Sequence, residues 1–135
     1  MKLVNEKTAK IGSREYAWYE FLVDSAKTEA DCAELVKKIA GIGKLDTIDC
    51  RGYHDMDTHE NYAFCDTVEE FDAVMGKKRK IDIDTVRIRV FVGEVAVTAE
   101  INPFGDSEKG THLSVSGSDA PTVKKVASAI QKAVG

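Results

Sequence analysis

The sequence lacks long hydrophobic runs, because its longest stretch without a polar side chain is Ile39–Gly43. A membrane-spanning helix needs about 20 apolar residues. The first residues, MKLVNEKTAK, also lack the apolar segment of a secretory signal. Proline is scarce as well, with two in 135 residues, while 43% of the residues are hydrophobic, which excludes collagen-like and low-complexity chains. We therefore expect a soluble, cytoplasmic protein with one domain, residues 1–135, and no membrane partner.

Cysteines are also few, and basic residues are outnumbered by acidic ones. The three cysteines, Cys32, Cys50 and Cys65, form an odd set, which favours reduced thiols over a disulfide framework. The 19 basic and 23 acidic residues give a net charge of -4, which disfavours a nucleic-acid partner. The basic run at 77–80 is more typical of a solvated turn after a helix.

Hydrophobic spacing predicts an α+β fold. Residues 16–23 are aromatic and β-branched on both faces, as in a central strand covered on both sides. A short edge strand is expected over 7–11, before a turn at Gly12-Ser13. Helical spacing after capping residues indicates three helices, which start near Thr28, near Asp66 or Thr67, and near Ser118 or Asp119. The first should end at Gly41 in a left-handed cap and lead by a parallel crossover to a strand over 45–50.

The clearest element is a β-hairpin over 85–101. Glycine first in the two-residue loop Gly93-Glu94 favours a type II′ turn, and that turn sets the register of the two strands. Val86 then faces Ile101 on the apolar side, and Arg87 faces Glu100 on the polar side. A further strand over 111–116 completes the predicted order, roughly β-α-β-α-β-β-β-α, with two or three helices packed on one face of a mainly antiparallel sheet.

The polar face of this sheet is one candidate site. Arg87, Arg89 and Glu100 project together, and His112 joins them if its strand pairs beside residues 95–101. Two arginines and a histidine on a rigid sheet can hold a phosphate, a carboxylate or an acidic protein surface. The same pattern is also typical of the water-facing side of an antiparallel sheet.

The acidic segment between Cys50 and Cys65 is the other candidate. Residues 51–72 hold seven acids and one base, and the acids Asp55, Asp57 and Glu60 could face a basic partner. His54 and His59 lie beside them, but the spacing matches no established metal motif, so a solvated acidic loop is favoured over a metal site. We expect no metal and no cofactor.

No complete catalytic set emerges from the sequence, so a non-enzymatic protein is favoured over an enzyme. The leading hypothesis is a small protein that binds another protein, as inhibitors, immunity-type proteins and regulatory accessory proteins do. An alternative is an anion- or small-molecule-binding module on the polar sheet face. A third is a metal-dependent enzyme centred on residues 54–60. A homodimer is also predicted, on the assumption that the strand over 85–92 lies at a sheet edge.

Overall fold

The computed structural model of the protein describes residues 1–26, 29–53, 61–76, 82–102 and 111–134. Ten elements follow one another along these residues. They are β1 (Lys2–Ile11), β2 (Arg14–Val23), α1 (Glu29–Ala40), β3 (Lys44–Tyr53), β4 (Asn61–Cys65), α2 (Val68–Gly76), β5 (Asp82–Val92), β6 (Val95–Asn102), β7 (Thr111–Gly117) and α3 (Ala120–Val134).

The seven strands form one sheet in the order β1-β2-β7-β6-β5-β3-β4, and every neighbouring pair is antiparallel. The α+β class is therefore confirmed. The predicted element order matches only roughly, since it lacks a full first strand and a separate β4. β1 begins at Lys2 rather than at Lys7 and runs the whole length of β2.

One face of the sheet carries the hydrophobic core. Alternate strand residues and residues from all three helices form a single buried cluster, with Phe21, Ile88 and Leu113 among its most buried strand side chains. Because the helices in the described chain all join this cluster, none of them covers the opposite side. We call that side, made by the strand residues that alternate with the core residues, the open face.

The hairpin of β5 and β6 has the predicted register. Val86 lies opposite Ile101, Arg87 opposite Glu100 and Val92 opposite Val95. Gly93 has a φ of 64°, and Glu94 does not have a positive φ, as a type II′ turn requires. β7 pairs with β6 on the other side and completes a rigid centre for the open face.

The helix caps agree with the sequence in part. The Thr67 hydroxyl accepts a hydrogen bond from the Glu70 amide, and the Glu70 carboxylate accepts one from the Asp66 amide. Asp119 caps α3 by accepting from the Thr122 amide. The expected left-handed cap at Gly41 is wrong, because Gly41 has no positive φ and its amide donates to the carbonyls of the last helical turn instead.

Two predictions about strand position are wrong, and a third agrees with the structure in strand direction. β2 is buried on one face only, so Trp18 lies on the open face instead of between two layers. β3 runs parallel to β2 in the same sheet, as the predicted crossover through α1 requires, and three strands lie between the two. β5 is internal, between β6 and β3, so it offers no sheet edge and the stated basis for a homodimer fails.

Candidate functional site

The open face brings together the four sheet residues that the sequence singled out. Arg87 and Arg89 lie on β5, Glu100 lies on β6 next to them, and His112 lies on β7 opposite Asn102. Regular antiparallel pairing places their side chains on one side of the sheet. All four remain partly or fully exposed.

These charged groups are paired with one another. Arg87 donates to Glu100, with Nη2 and Oε2 2.9 Å apart. Arg89 Nε lies 3.6 Å from Asp46 Oδ2, and His112 Nδ1 lies 3.4 Å from Glu20 Oε1. An incoming anion would have to compete with these carboxylates. The face therefore offers balanced charge of both signs rather than an electropositive pocket.

Asp49 on β3 is the unusual member of this face. It lies opposite Arg87 in the sheet, yet only 6% of its surface is exposed. Its Oδ2 accepts a hydrogen bond of 3.1 Å from Arg51 Nε. Its Oδ1 is buried and has no hydrogen-bond partner among the described residues. A buried carboxylate oxygen without a donor is costly, because water has been removed and nothing has replaced it.

A groove of about 430 Å³ runs over this part of the open face. Asp49, Arg87 and Glu100 line it, together with Phe64 of the edge strand β4. Phe64 lies opposite Asp49, and 68% of its surface is exposed. An exposed phenylalanine beside a buried acceptor combines an apolar contact surface with a hydrogen-bonding point, as at the centres of protein interfaces.

Aromatic side chains also occur elsewhere on the open face. Trp18 lies beneath the Lys7 ammonium, whose nitrogen is 4.9 Å from the ring centroid. The Arg89 guanidinium lies 5.7 Å from the ring centroid of Phe91. Both arrangements are cation–π contacts, which hold the long basic side chains against the sheet. Arginine and aromatic residues together are the types enriched in interface cores.

The acidic candidate residues Asp55, Asp57 and Glu60 lie outside the described residues, as do His54, His59 and the basic run at 77–80. The prediction that the acids face a basic partner stays a prediction. In the parts of the chain that the structure describes, no group of three histidine, cysteine or acidic side chains is arranged to hold a metal ion.

The three cysteines are buried, and none of them forms a disulfide bond. Cys50 pairs with Ala63 and Cys65 with Ile48, so the two cysteines lie two residues apart in the register of β3 and β4. Burial raises the pKa of the Cys65 thiol, the nearby carboxylates of Glu70 and Asp66 raise it further, and a hydrogen bond with Cys50 partly opposes them. A raised pKa keeps the thiol protonated, which makes it a poor nucleophile.

Sequence reasoning missed Asp49 and Phe64. The alternation of polar and apolar residues over 47–51 already places Asp49 on a polar strand face. The sequence does not give the pairing of β3 with β5, and only that pairing sets Asp49 beside Arg87. Phe64 follows an alanine in a five-residue strand, where nothing indicates which side it takes.

No protein-family model, characterised protein or solved structure matches this chain. Among the described residues, no helix combines the length and apolar character that crossing a membrane requires. The chemistry of the open face is therefore the basis on which a function can be argued.

Proposed function

We propose that the protein is a non-enzymatic binding protein whose open face docks onto a partner protein. The observation that carries the proposal is Asp49, a residue that lines the groove, is more than nine-tenths buried and keeps one carboxylate oxygen without a donor among the described residues. Retaining such a group lowers the stability of the free protein. A partner that supplies the missing donor would regain that free energy on binding.

The chemistry of the groove favours a basic side chain of the partner, lysine or arginine. An ammonium or guanidinium group donates hydrogen bonds and also neutralises the desolvated carboxylate. Phe64 offers an aromatic face to the same cation at the mouth of the groove. Arg87 also lines the groove and would repel a second cation. Its 2.9 Å contact with the Glu100 carboxylate offsets part of that repulsion.

The overall charge of this region is consistent with such a partner. Residues 51–72, which include β4 and the start of α2, carry seven acids and one base. Net negative charge in this stretch of the chain would attract a basic partner from a distance and speed association. The anion-binding alternative receives less support, because Arg87 and Arg89 both already face carboxylates.

The first stage of the test identifies the partner in the cells from which the protein comes. A photo-cross-linking amino acid replaces Phe64, which is exposed enough to tolerate it. The same amino acid replaces Ser128, an exposed residue of α3, as a matched control on the helical side. We expect one protein to cross-link from position 64 and not from position 128. Equal capture at both positions, or none at 64, contradicts the proposal.

The second stage measures the affinity of the captured protein, once purified, for the variants by calorimetry. Asp49→Asn keeps the shape of the side chain and removes its charge. We expect this change, and Phe64→Ala, each to weaken binding by about tenfold or more, as interface anchors do. Glu34→Gln removes one negative charge from α1, on the helical side and outside residues 51–72, and should leave the affinity within about twofold. An affinity unchanged in Asp49→Asn would exclude the proposed docking mode.

A further inference from the structure

The two edges of the sheet differ in length and protection. β4 is an edge of five residues, whereas β1 is an edge of ten residues, all exposed except Asn5, which is intermediate. No strand of the described chain pairs with the outer side of β1. Short edge strands resist further pairing, whereas long exposed ones present a row of free backbone donors and acceptors. β1 is thus the edge at which another strand could add.

A β-bulge restricts where a strand can add. The pairing of β1 with β2 shifts between Leu3 and Asn5, so Val4 has no partner on β2. From Asn5 to Ile11 the pairing is regular. Because a bulge bends the strand and interrupts the ladder, Asn5–Ile11 is the longest uninterrupted segment that β1 can offer. This segment of seven residues is long enough for a specific register.

Symmetry limits the registers in which two copies of β1 can pair. Two sheets join edge to edge around a two-fold axis perpendicular to the sheet, and this axis keeps each face on its own side. A residue of one copy therefore lies opposite a residue of the same face in the other copy. The axis then passes midway between one residue and the same residue of the second copy, and we name each register by that residue. Glu6, Thr8 and Lys10 share the core side, while Asn5, Lys7, Ala9 and Ile11 share the open side.

Charge separates the remaining registers. An axis at Glu6 sets two glutamates against each other, and an axis at Lys7 does the same with two lysines, both of which are unfavourable. Both registers also run into the bulge at Val4. An axis at Thr8 pairs the whole uninterrupted segment and sets Glu6 opposite Lys10 of the second copy, twice by symmetry. Opposite charges across two strands stabilise the pairing.

The lysines of β1 do not prevent this arrangement. Edge strands often carry lysine as a defence against pairing, and β1 has three. Lys7 leans over Trp18 of its own chain, away from the outer edge. Lys10 meets Glu6 of the second copy in the register centred on Thr8. Lys2 lies beyond the bulge and outside the paired segment.

We propose that the protein forms a two-fold symmetric homodimer in which residues Asn5–Ile11 of two copies pair antiparallel, with Thr8 on the axis and Glu6 opposite Lys10. The two seven-stranded sheets join into one continuous sheet. Next to the two-fold axis, the open faces of both copies lie on the same side of the joined sheet. This arrangement uses residues distinct from those of the groove, so each proposal can fail without the other.

Sedimentation of the purified protein over about a hundredfold range of concentration tests the dimer. We expect a reversible monomer–dimer equilibrium in the wild-type protein. Glu6→Lys converts two attractions into two lysine–lysine repulsions and should weaken dimerisation by about tenfold. Lys10→Glu should weaken it similarly. The double variant Glu6→Lys/Lys10→Glu restores opposite charges across the axis and should dimerise as the wild type does.

Lys2→Glu is the matched control, since it reverses a lysine charge on the same strand outside the paired segment. It should leave the dimer unchanged. Thermal unfolding of every variant checks that the hairpin of β1 and β2 is intact. A wild-type monomer at all concentrations overturns the proposal. So do single reversals no weaker than Lys2→Glu, or a double variant that fails to recover.

Discussion

At the scale of single residues, the thiol of Cys65 couples stability to pH. Its pKa is raised in the folded protein above the ordinary value of 9.0, with burial as the main cause. The folded state thus favours the protonated form. The stabilisation is complete below the unfolded pKa and is lost as the pH rises through the raised pKa of the folded state.

We expect the free energy of unfolding to fall more steeply above pH 9 in the wild type than in Cys65→Ala. The difference in slope should stay below about 1.4 kcal/mol per pH unit, the limit for one proton. Chemical denaturation at several pH values measures both slopes. Because other groups titrate in the same range, only the difference between the two proteins is informative. Identical slopes would mean that the pKa of the Cys65 thiol is the same in the folded and the unfolded protein.

Two glycines near the start of β3, Gly41 and Gly43, differ in how much space surrounds them. A Cβ added at Gly43 would lie 2.5 Å from the carbonyl oxygen of Phe91, whereas one added at Gly41 would lie 3.5 Å from its nearest neighbour, the carbonyl oxygen of Lys38. The first distance is a clash with backbone and the second is ordinary contact. Neither glycine has a positive φ, so crowding alone separates them.

Gly43→Ala should therefore destabilise the protein by about 1–3 kcal/mol, the usual cost of overpacking. Gly41→Ala should change the stability by less than about 1 kcal/mol, and its sign should favour the folded state because alanine restricts the unfolded chain. Thermal unfolding of the two variants side by side gives the comparison. An effect of Gly43→Ala as small as that of Gly41→Ala would show that the end of β5 moves away from Gly43 easily.

At the scale of elements, local patterns were sufficient for the hairpin of β5 and β6. Gly93 sets the turn, and the alternation of Val86, Ile88 and Val90 with arginines sets the faces, so every pair in the register follows from adjacent sequence. The stripe of α3 is equally local: helical spacing predicts burial of Val123, Val126, Ala127, Ile130 and Val134, and all are buried except Val134, which is half-buried. Where neighbours in the sheet are also neighbours in the sequence, the sequence is informative.

The position of β2, β3 and β5 in the sheet could not be obtained in the same way. β2 pairs with β7, about ninety residues further along the chain, and β3 pairs with β5 across a helix. Such pairings depend on which surfaces pack together in the folded protein, and the composition of a strand does not specify its partners. Aromatic residues on both sides of 16–23 resemble a doubly covered strand, yet Tyr16 and Trp18 lie on the open face.

The candidate site shows the same division. Arg87 and Glu100 form a cross-strand pair that the hairpin register predicts, and His112 joins their face through β7. Asp49 joins from β3 only because of long-range pairing. Asp49, on which the proposed docking mainly rests, is thus the site residue whose position depends most on long-range strand pairing.

At the scale of the whole molecule, the sheet order predicts a gradient of local stability. β5 is paired on both sides, and Val86, Ile88 and Val90 are buried beneath the helices. β1 is paired on one side and buries none of its residues. Backbone amides in the centre of such a sheet exchange with solvent only when the protein unfolds globally, whereas edge strands open locally.

Hydrogen exchange followed by mass spectrometry should therefore show β5 as the slowest segment and β1 as the fastest strand when the protein is dilute. At high concentration the self-paired dimer would slow exchange selectively within Asn5–Ile11, because half of these amides lie on the outer edge and gain partners there. Lys2 and Leu3, beyond the bulge, should stay fast. Exchange in β1 as slow as in β5 at the lowest concentration would contradict the gradient itself. Exchange in Asn5–Ile11 that ignores concentration would contradict only the dimer, because the gradient follows from the sheet order of a single copy.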